Sequence, residues 1–92
     1  MGLSTVAVQM DDLAHIDIAG DTTFALMLEA QARGMRLFCY HPNALTLEAG
    51  RARATGAWVT VADTAGAHFE TVETATLDLA RVDCILLRQD PP

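Results

Sequence analysis

With 92 residues the chain has room for one domain at most, and a domain of that size removes only about 60–65% of its unfolded surface from water. A net charge of −6 and a pI near 4.7 argue against nucleic acid or an anionic membrane as partner, since both are held by clustered Lys and Arg. Hydrophobic residues make up 51% of the chain and charged residues 20%, with a mean hydropathy of +0.22, more apolar surface than one small core can bury. Part of that surface is expected to face further protein.

The first element is the β-branched run Thr5 to Met10, which stops at Asp11-Asp12 as a buried parallel strand does at its site end. Ile16 and Ile18 in the following segment suggest an ordered loop from Leu13 to Gly20. Asp21 or Thr22 can then cap a helix with Phe24, Leu28 and Gln31 on one row and Ala25, Met27 and Ala32 beside it. Gly34 stands where a left-handed cap residue belongs, and Arg33 brings a cation to the negative end of the helix dipole. Met35 to Tyr40 is a second strand, closed by His41-Pro42, so the first forty residues read as a right-handed βαβ unit.

Beyond Leu45 the pattern changes. Leu47 to Ala54 alternates about a turn at Gly50, and Trp58 to Val61 and His68 to Glu70 flank the loop 62–67. We expect an antiparallel excursion of short strands here, with Trp58 and Phe69 paired across it. Leu77 to Ala80 then leads into Val82 to Leu87, the next parallel strand, with a strand order of second, first, last. In that order Cys39 and Cys84 flank the first strand about 9–10 Å apart, too far for a disulfide. Both are read as buried free thiols of a reducing compartment. No basic amino-terminal region or bilayer-length apolar run marks export or membrane insertion, so the expected location is cytoplasmic. One helix covers one face of a sheet, and parallel sheets are covered on both. The second face should be sealed by other domains or another subunit, so a fragment that forms a homo-oligomer in its complete protein is expected.

The residues suited to chemistry sit at the strand ends. Leu86-Leu87-Arg88-Gln89-Asp90-Pro91-Pro92 delivers three polar side chains from an apolar strand into a rigid turn, where a parallel sheet keeps its site. Arg88 offers a planar fork that suits a carboxylate, or it pairs with Asp90, Asp11 or Asp12. Asp11 and Asp90 can accept from a substrate amine or brace Arg88. Gln89 can hydrogen-bond a peptide or face solvent, and Thr22 and Thr23 are caps or part of an anion site at the helix start. His15, His41 and His68 fall in three separate loops without metal-ligand spacing.

Three stretches together carry a resemblance. Val8-Gln9-Met10-Asp11, the run Thr22-Thr23-Phe24-Ala25-Leu26-Met27-Leu28-Glu29-Ala30-Gln31-Ala32-Arg33-Gly34, and Leu86 to Pro92 are similar to the amino-terminal domain of bacterial glutathione synthetase, over residues 1–92. The resemblance implies an α/β, Rossmann-like (pre-ATP-grasp) parallel sheet with an inserted antiparallel hairpin, incomplete on one face. It implies an ATP-dependent ligase that phosphorylates the cysteinyl carboxylate of γ-glutamylcysteine for attack by the amine of glycine. ATP and Mg²⁺ would be held by the ATP-grasp domain outside this chain. This chain would supply the peptide-substrate side, with Arg88, Asp90, Asp11, Gln89 and Thr23 as substrate contacts and no catalytic, nucleotide or metal residue, and would be inactive alone. One departure is Met10-Asp11-Asp12, where the family usually has Met-Asp-Pro, which puts that loop's conformation in doubt. The rival readings are a stand-alone α/β binding module without catalysis and a receiver-like signalling domain; the second needs a Lys that this chain lacks.

Overall fold

The computed structural model describes residues 4–10, 22–64 and 67–87. In chain order they form β1 (Thr5–Gln9), α1 (Thr22–Ala32), β2 (Arg36–Glu48), β3 (Arg51–Val61), β4 (Phe69–Asp78), a 3-10 turn (Leu79–Arg81) and β5 (Cys84–Leu87). The strands make one five-stranded sheet in the order β4-β3-β2-β1-β5. β1 is parallel to both β2 and β5, while β3 and β4 extend the sheet antiparallel on the β2 side. This is the expected α/β sheet with its antiparallel excursion, and the three parallel strands take the expected order.

The apolar alternation of β1 divides the core between the two faces. Val6, Val8 and Met10 join Leu37, Val59 and Val61 under α1, which buries Phe24 and Met27 against them. Burying two such side chains stabilises the helix-to-sheet packing by roughly 1.5–3 kcal/mol each. Leu28 and Gln31 are half-buried beside them, whereas Ala25 and Ala32 are exposed, so the buried stripe is narrower than the sequence row suggests. Ala7 faces the other way, with Phe38, Tyr40 and Ala54, and Trp58, Leu79 and Val82 pack against that set. Ile85 and Leu87 share the face of Ala7 through the β1–β5 register and remain 41% and 64% exposed. The second face is therefore only partly covered.

The end of α1 is fixed by backbone chemistry. Gly34 has φ +85°, its N–H donates to the Gln31 carbonyl at 3.0 Å, and the Met35 N–H donates to the Ala30 carbonyl at 3.0 Å. Those two bonds satisfy orphan helix carbonyls, and only glycine enters that conformation without a Cβ penalty. Arg33 Nε lies 2.8 Å from Glu29 Oε1, but both side chains are mostly exposed, so the pair adds little. The Gln31 amide bridges helix and sheet: Nε2 donates to the Val61 carbonyl at 2.7 Å, and Oε1 accepts from the Val61 N–H at 2.8 Å. A side-chain amide thus replaces the ladder partner that β3 lacks at this point.

The β2–β3 hairpin closes with a two-residue turn. Ala49 and Gly50 both have positive φ, 52° and 79°, the primed-turn geometry whose twist matches that of its flanking strands. Several sequence expectations need correction here. β2 does not stop at His41-Pro42 but runs to Glu48, absorbing His41 to Ala44 as an irregularity between Tyr40 and Leu45, where a residue without an N–H costs no ladder bond. His41 therefore lies within a strand. β3 and β4 are long, with 11 and 10 residues. Trp58 does not face Phe69: it opposes Glu73, and Phe69 opposes Val61. Between Trp58 and Val59 the β4 register slips, leaving Val72 as an extra, 64% exposed residue. Trp58 packs edge-on to Phe38 at 5.2 Å with Arg36 stacked 3.8 Å from its ring centre, while Phe69 sits beside His68. Cys39 and Cys84 are both free, as expected, but Cys84 is exposed because β5 is an edge strand.

Candidate functional site

β1 and β5 end side by side, next to the point on β2, at Tyr40, where its parallel pairing stops. Gln9 is the register partner of Tyr40 on one side and of Leu87 on the other. Just beyond, the Met10 N–H donates to the Tyr40 carbonyl at 3.1 Å and the Met10 side chain is buried. Tyr40 is buried as well, and desolvation raises its phenol pKa above the ordinary value, so it stays a neutral hydroxyl. The Asn43 N–H donates to His41 Nδ1 at 3.0 Å, which makes that ring nitrogen an acceptor.

At the opposite, amino ends of the strands, Asp83 ties the start of β5 to β1. Its Oδ2 accepts from the Thr5 N–H at 2.7 Å, and its own N–H donates to the Thr5 carbonyl at 2.9 Å. With β5 registered on β1 from Val6 to Gln9, the two strands reach their carboxyl ends together. Neighbouring strands are about 4.8 Å apart.

Of the site residues expected from sequence, Asp11, Arg88, Gln89 and Asp90 lie outside the described residues, as does Asp12. Thr23 is described: it is half-buried in the first turn of α1, next to Phe24, whose buried ring stands edge-on to His68 at 5.7 Å. The burial of Phe24 sets the position of Thr23. Gln9 and Tyr40 also stand at this end; Gln9 falls within the Val8-Gln9-Met10-Asp11 stretch, while the only sequence signal of Tyr40 is its place as the last residue of the second strand pattern.

Cys39, the nearest thiol, has its pKa pushed up to about 12 by burial, so it is a protonated, inert sulfhydryl at neutral pH. Among the described residues no group of three or more His, Cys, Asp or Glu is arranged to hold a metal ion. No described helix is long and apolar enough to cross a membrane.

Comparison with known proteins gives a concordant result. Residues 5–92 match the family model described as the N-terminal domain of prokaryotic glutathione synthetase. The chain is 49% identical to a glutathione synthetase of Agrobacterium fabrum over 90 residues, which cover 98% of this chain. It is 48% identical to a glutathione synthetase of Mesorhizobium japonicum and 45% identical to one of Xanthomonas axonopodis, each over 95% of this chain. In all three comparisons it spans 28% of the relative's length.

Proposed function

The chain belongs to the family of N-terminal domains of prokaryotic glutathione synthetase, and from that premise we propose that it forms the peptide-substrate side of an ATP-dependent ligase joining γ-glutamylcysteine to glycine. The observation that carries this reading is the match over residues 5–92, in a chain whose β1 and β5 end as neighbours. Those strand ends lead directly to Asp11 and to Arg88, Gln89 and Asp90. Arg88 holds a substrate carboxylate by a paired, charge-assisted contact. Asp11 and Asp90 accept from the substrate amine or orient the guanidinium, Gln89 bonds the peptide, and Thr23 contributes from the first turn of α1.

ATP with Mg²⁺ supplies the phosphoryl group that activates the dipeptide carboxylate. In this reading both are held by the ATP-grasp domain of the complete enzyme, and no residue of this chain is assigned to them. The role of this chain is to orient the dipeptide, and holding a reactant in place can lower a barrier by several kcal/mol without any chemistry of its own. The exposed Ile85 and Leu87 are covered by the remaining domains or by another subunit of a cytoplasmic homo-oligomer.

The test is an assay of the full-length protein with γ-glutamylcysteine, glycine and MgATP, following glutathione by mass spectrometry and ADP release in parallel. Stoichiometric glutathione and ADP are expected. A folded protein that binds the dipeptide but makes no glutathione would favour the non-catalytic binding module.

A further inference from the structure

The chain carries six arginines against twelve acidic residues, yet four of the six, Arg36, Arg51, Arg53 and Arg81, line one cleft of about 570 Å³. They come from four places in the fold: the start of β2, the first and third residues of β3, and the last residue of the 3-10 turn. Thr5 and Val82 complete the wall at the amino ends of β1 and β5, while Met10 and His41 mark the other end of the parallel strands.

None of the four guanidinium groups forms an ion pair with a described residue. Among the described residues that line the cleft the one acid is Asp78, and its Oδ1 already accepts from the Ala80 N–H at 3.0 Å as the cap of the 3-10 turn. That bond also fixes the turn carrying Arg81. The Arg36 Cζ lies over the Trp58 ring, 3.8 Å from its centre, an arrangement that restrains the side chain while leaving its charge in the cleft. Four like charges facing one space repel one another, and a multivalent anion removes that repulsion while gaining directional guanidinium contacts. The volume lies within the range of small-molecule sites.

We propose that this cleft binds a small multivalent oxyanion, a phosphorylated metabolite or a polycarboxylate, through Arg36, Arg51, Arg53 and Arg81. The site is independent of the dipeptide site assigned to Arg88. It also explains why a net-acidic chain concentrates most of its positive charge in one place.

The experiment is calorimetric titration of the full-length protein with tripolyphosphate and, separately, with citrate. A saturating non-hydrolysable ATP analogue is present throughout, so that the proposed nucleotide site is filled. A binding event is expected that weakens at least tenfold in the double variant Arg51→Ala/Arg53→Ala and independently in Arg81→Ala. It should weaken with rising salt and be unchanged in Arg33→Ala, which removes an arginine outside the cleft. Preference for tripolyphosphate assigns a phosphorylated ligand, and preference for citrate assigns a polycarboxylate. Absence of any event for both anions, or equal affinity in wild type and the cleft variants, overturns the proposal. Circular dichroism of each variant confirms folding, and the two independent cleft variants keep the test open if one fails to fold.

Discussion

Replacing Gln31 by Ala should loosen the edge of the sheet where α1 is anchored. The side chain gives one hydrogen bond to the Val61 carbonyl and takes one from the Val61 N–H, at 2.7 and 2.8 Å. Val61 is only 5% exposed, so water does not freely replace the lost partner. A buried donor or acceptor left unsatisfied costs about 1–3 kcal/mol. With two such groups and some relaxation, the local cost should be about 2–4 kcal/mol. If Val61 exchanges by opening of this edge, its amide protection should fall about 30-fold or more, at a tenfold change per 1.4 kcal/mol. Hydrogen exchange on the full-length protein, read by mass spectrometry in peptides spanning 58–63, measures this directly. Gln31→Glu keeps an acceptor for the N–H but sets a carboxylate against the Val61 carbonyl, and should be at least as damaging. Unchanged exchange in both folded variants would refute the claim that Gln31 completes the ladder.

Gly56→Ala should destabilise by at least 1–3 kcal/mol, the usual cost of overpacking, because a Cβ there would run into the Cys39 carbonyl oxygen and lie 2.8 Å from Tyr40 Cβ; thermal melts check it, and an unchanged Tm would show that β2 can move away. Thiol labelling under native conditions should modify exposed Cys84 quickly and Cys39 only on unfolding. Because burial raises the Cys39 pKa from 9.0 to about 12, the unfolded chain loses that proton first, and stability should fall as pH rises from about 9 towards 12. The slope, at most about 1.4 kcal/mol per pH unit from this group, should diminish in Cys39→Ala measured by denaturant titration.

Local signals made much of this fold legible. The alternation of Thr5 to Met10 and the Gly34 cap rest on residues near one another in sequence, and the structure keeps them; it also keeps the parallel order of β2, β1 and β5, although β5 pairs with a strand at the far end of the sequence. The readings that failed depend on register. Trp58 and Phe69 look like a cross-strand pair only if the β3–β4 connection closes midway between them, but Val61 is the residue opposite Phe69, so Trp58 falls three residues further along β4, and the extra residue at Val72 moves it one more, to Glu73. β4 was obscured because its Thr- and Glu-rich sequence supplies an edge strand with little apolar alternation. Cys84 resembles a buried strand residue in sequence, and only its edge position exposes it.

For the candidate site, Leu86 to Pro92 pointed to chemistry at a strand end; Asp11, Arg88, Gln89 and Asp90 lie outside the described residues, and the strands that lead to them run side by side as far as Gln9 and Leu87. The arginine cleft had no such signal. Arg36, Arg51, Arg53 and Arg81 share no common spacing, and only the folding of β3 and the 3-10 turn around the start of β2 collects them.

The central claim, that this chain positions the dipeptide through Arg88, is tested most directly by steady-state kinetics of the full-length protein with Arg88→Ala beside wild type. Losing a charge-assisted hydrogen bond of roughly 1.5–3 kcal/mol should lower kcat/KM for γ-glutamylcysteine by about 10- to 150-fold. The KM for ATP should move much less. An unchanged kcat/KM for the dipeptide in a folded variant would contradict the account and leave Arg88 as a structural brace.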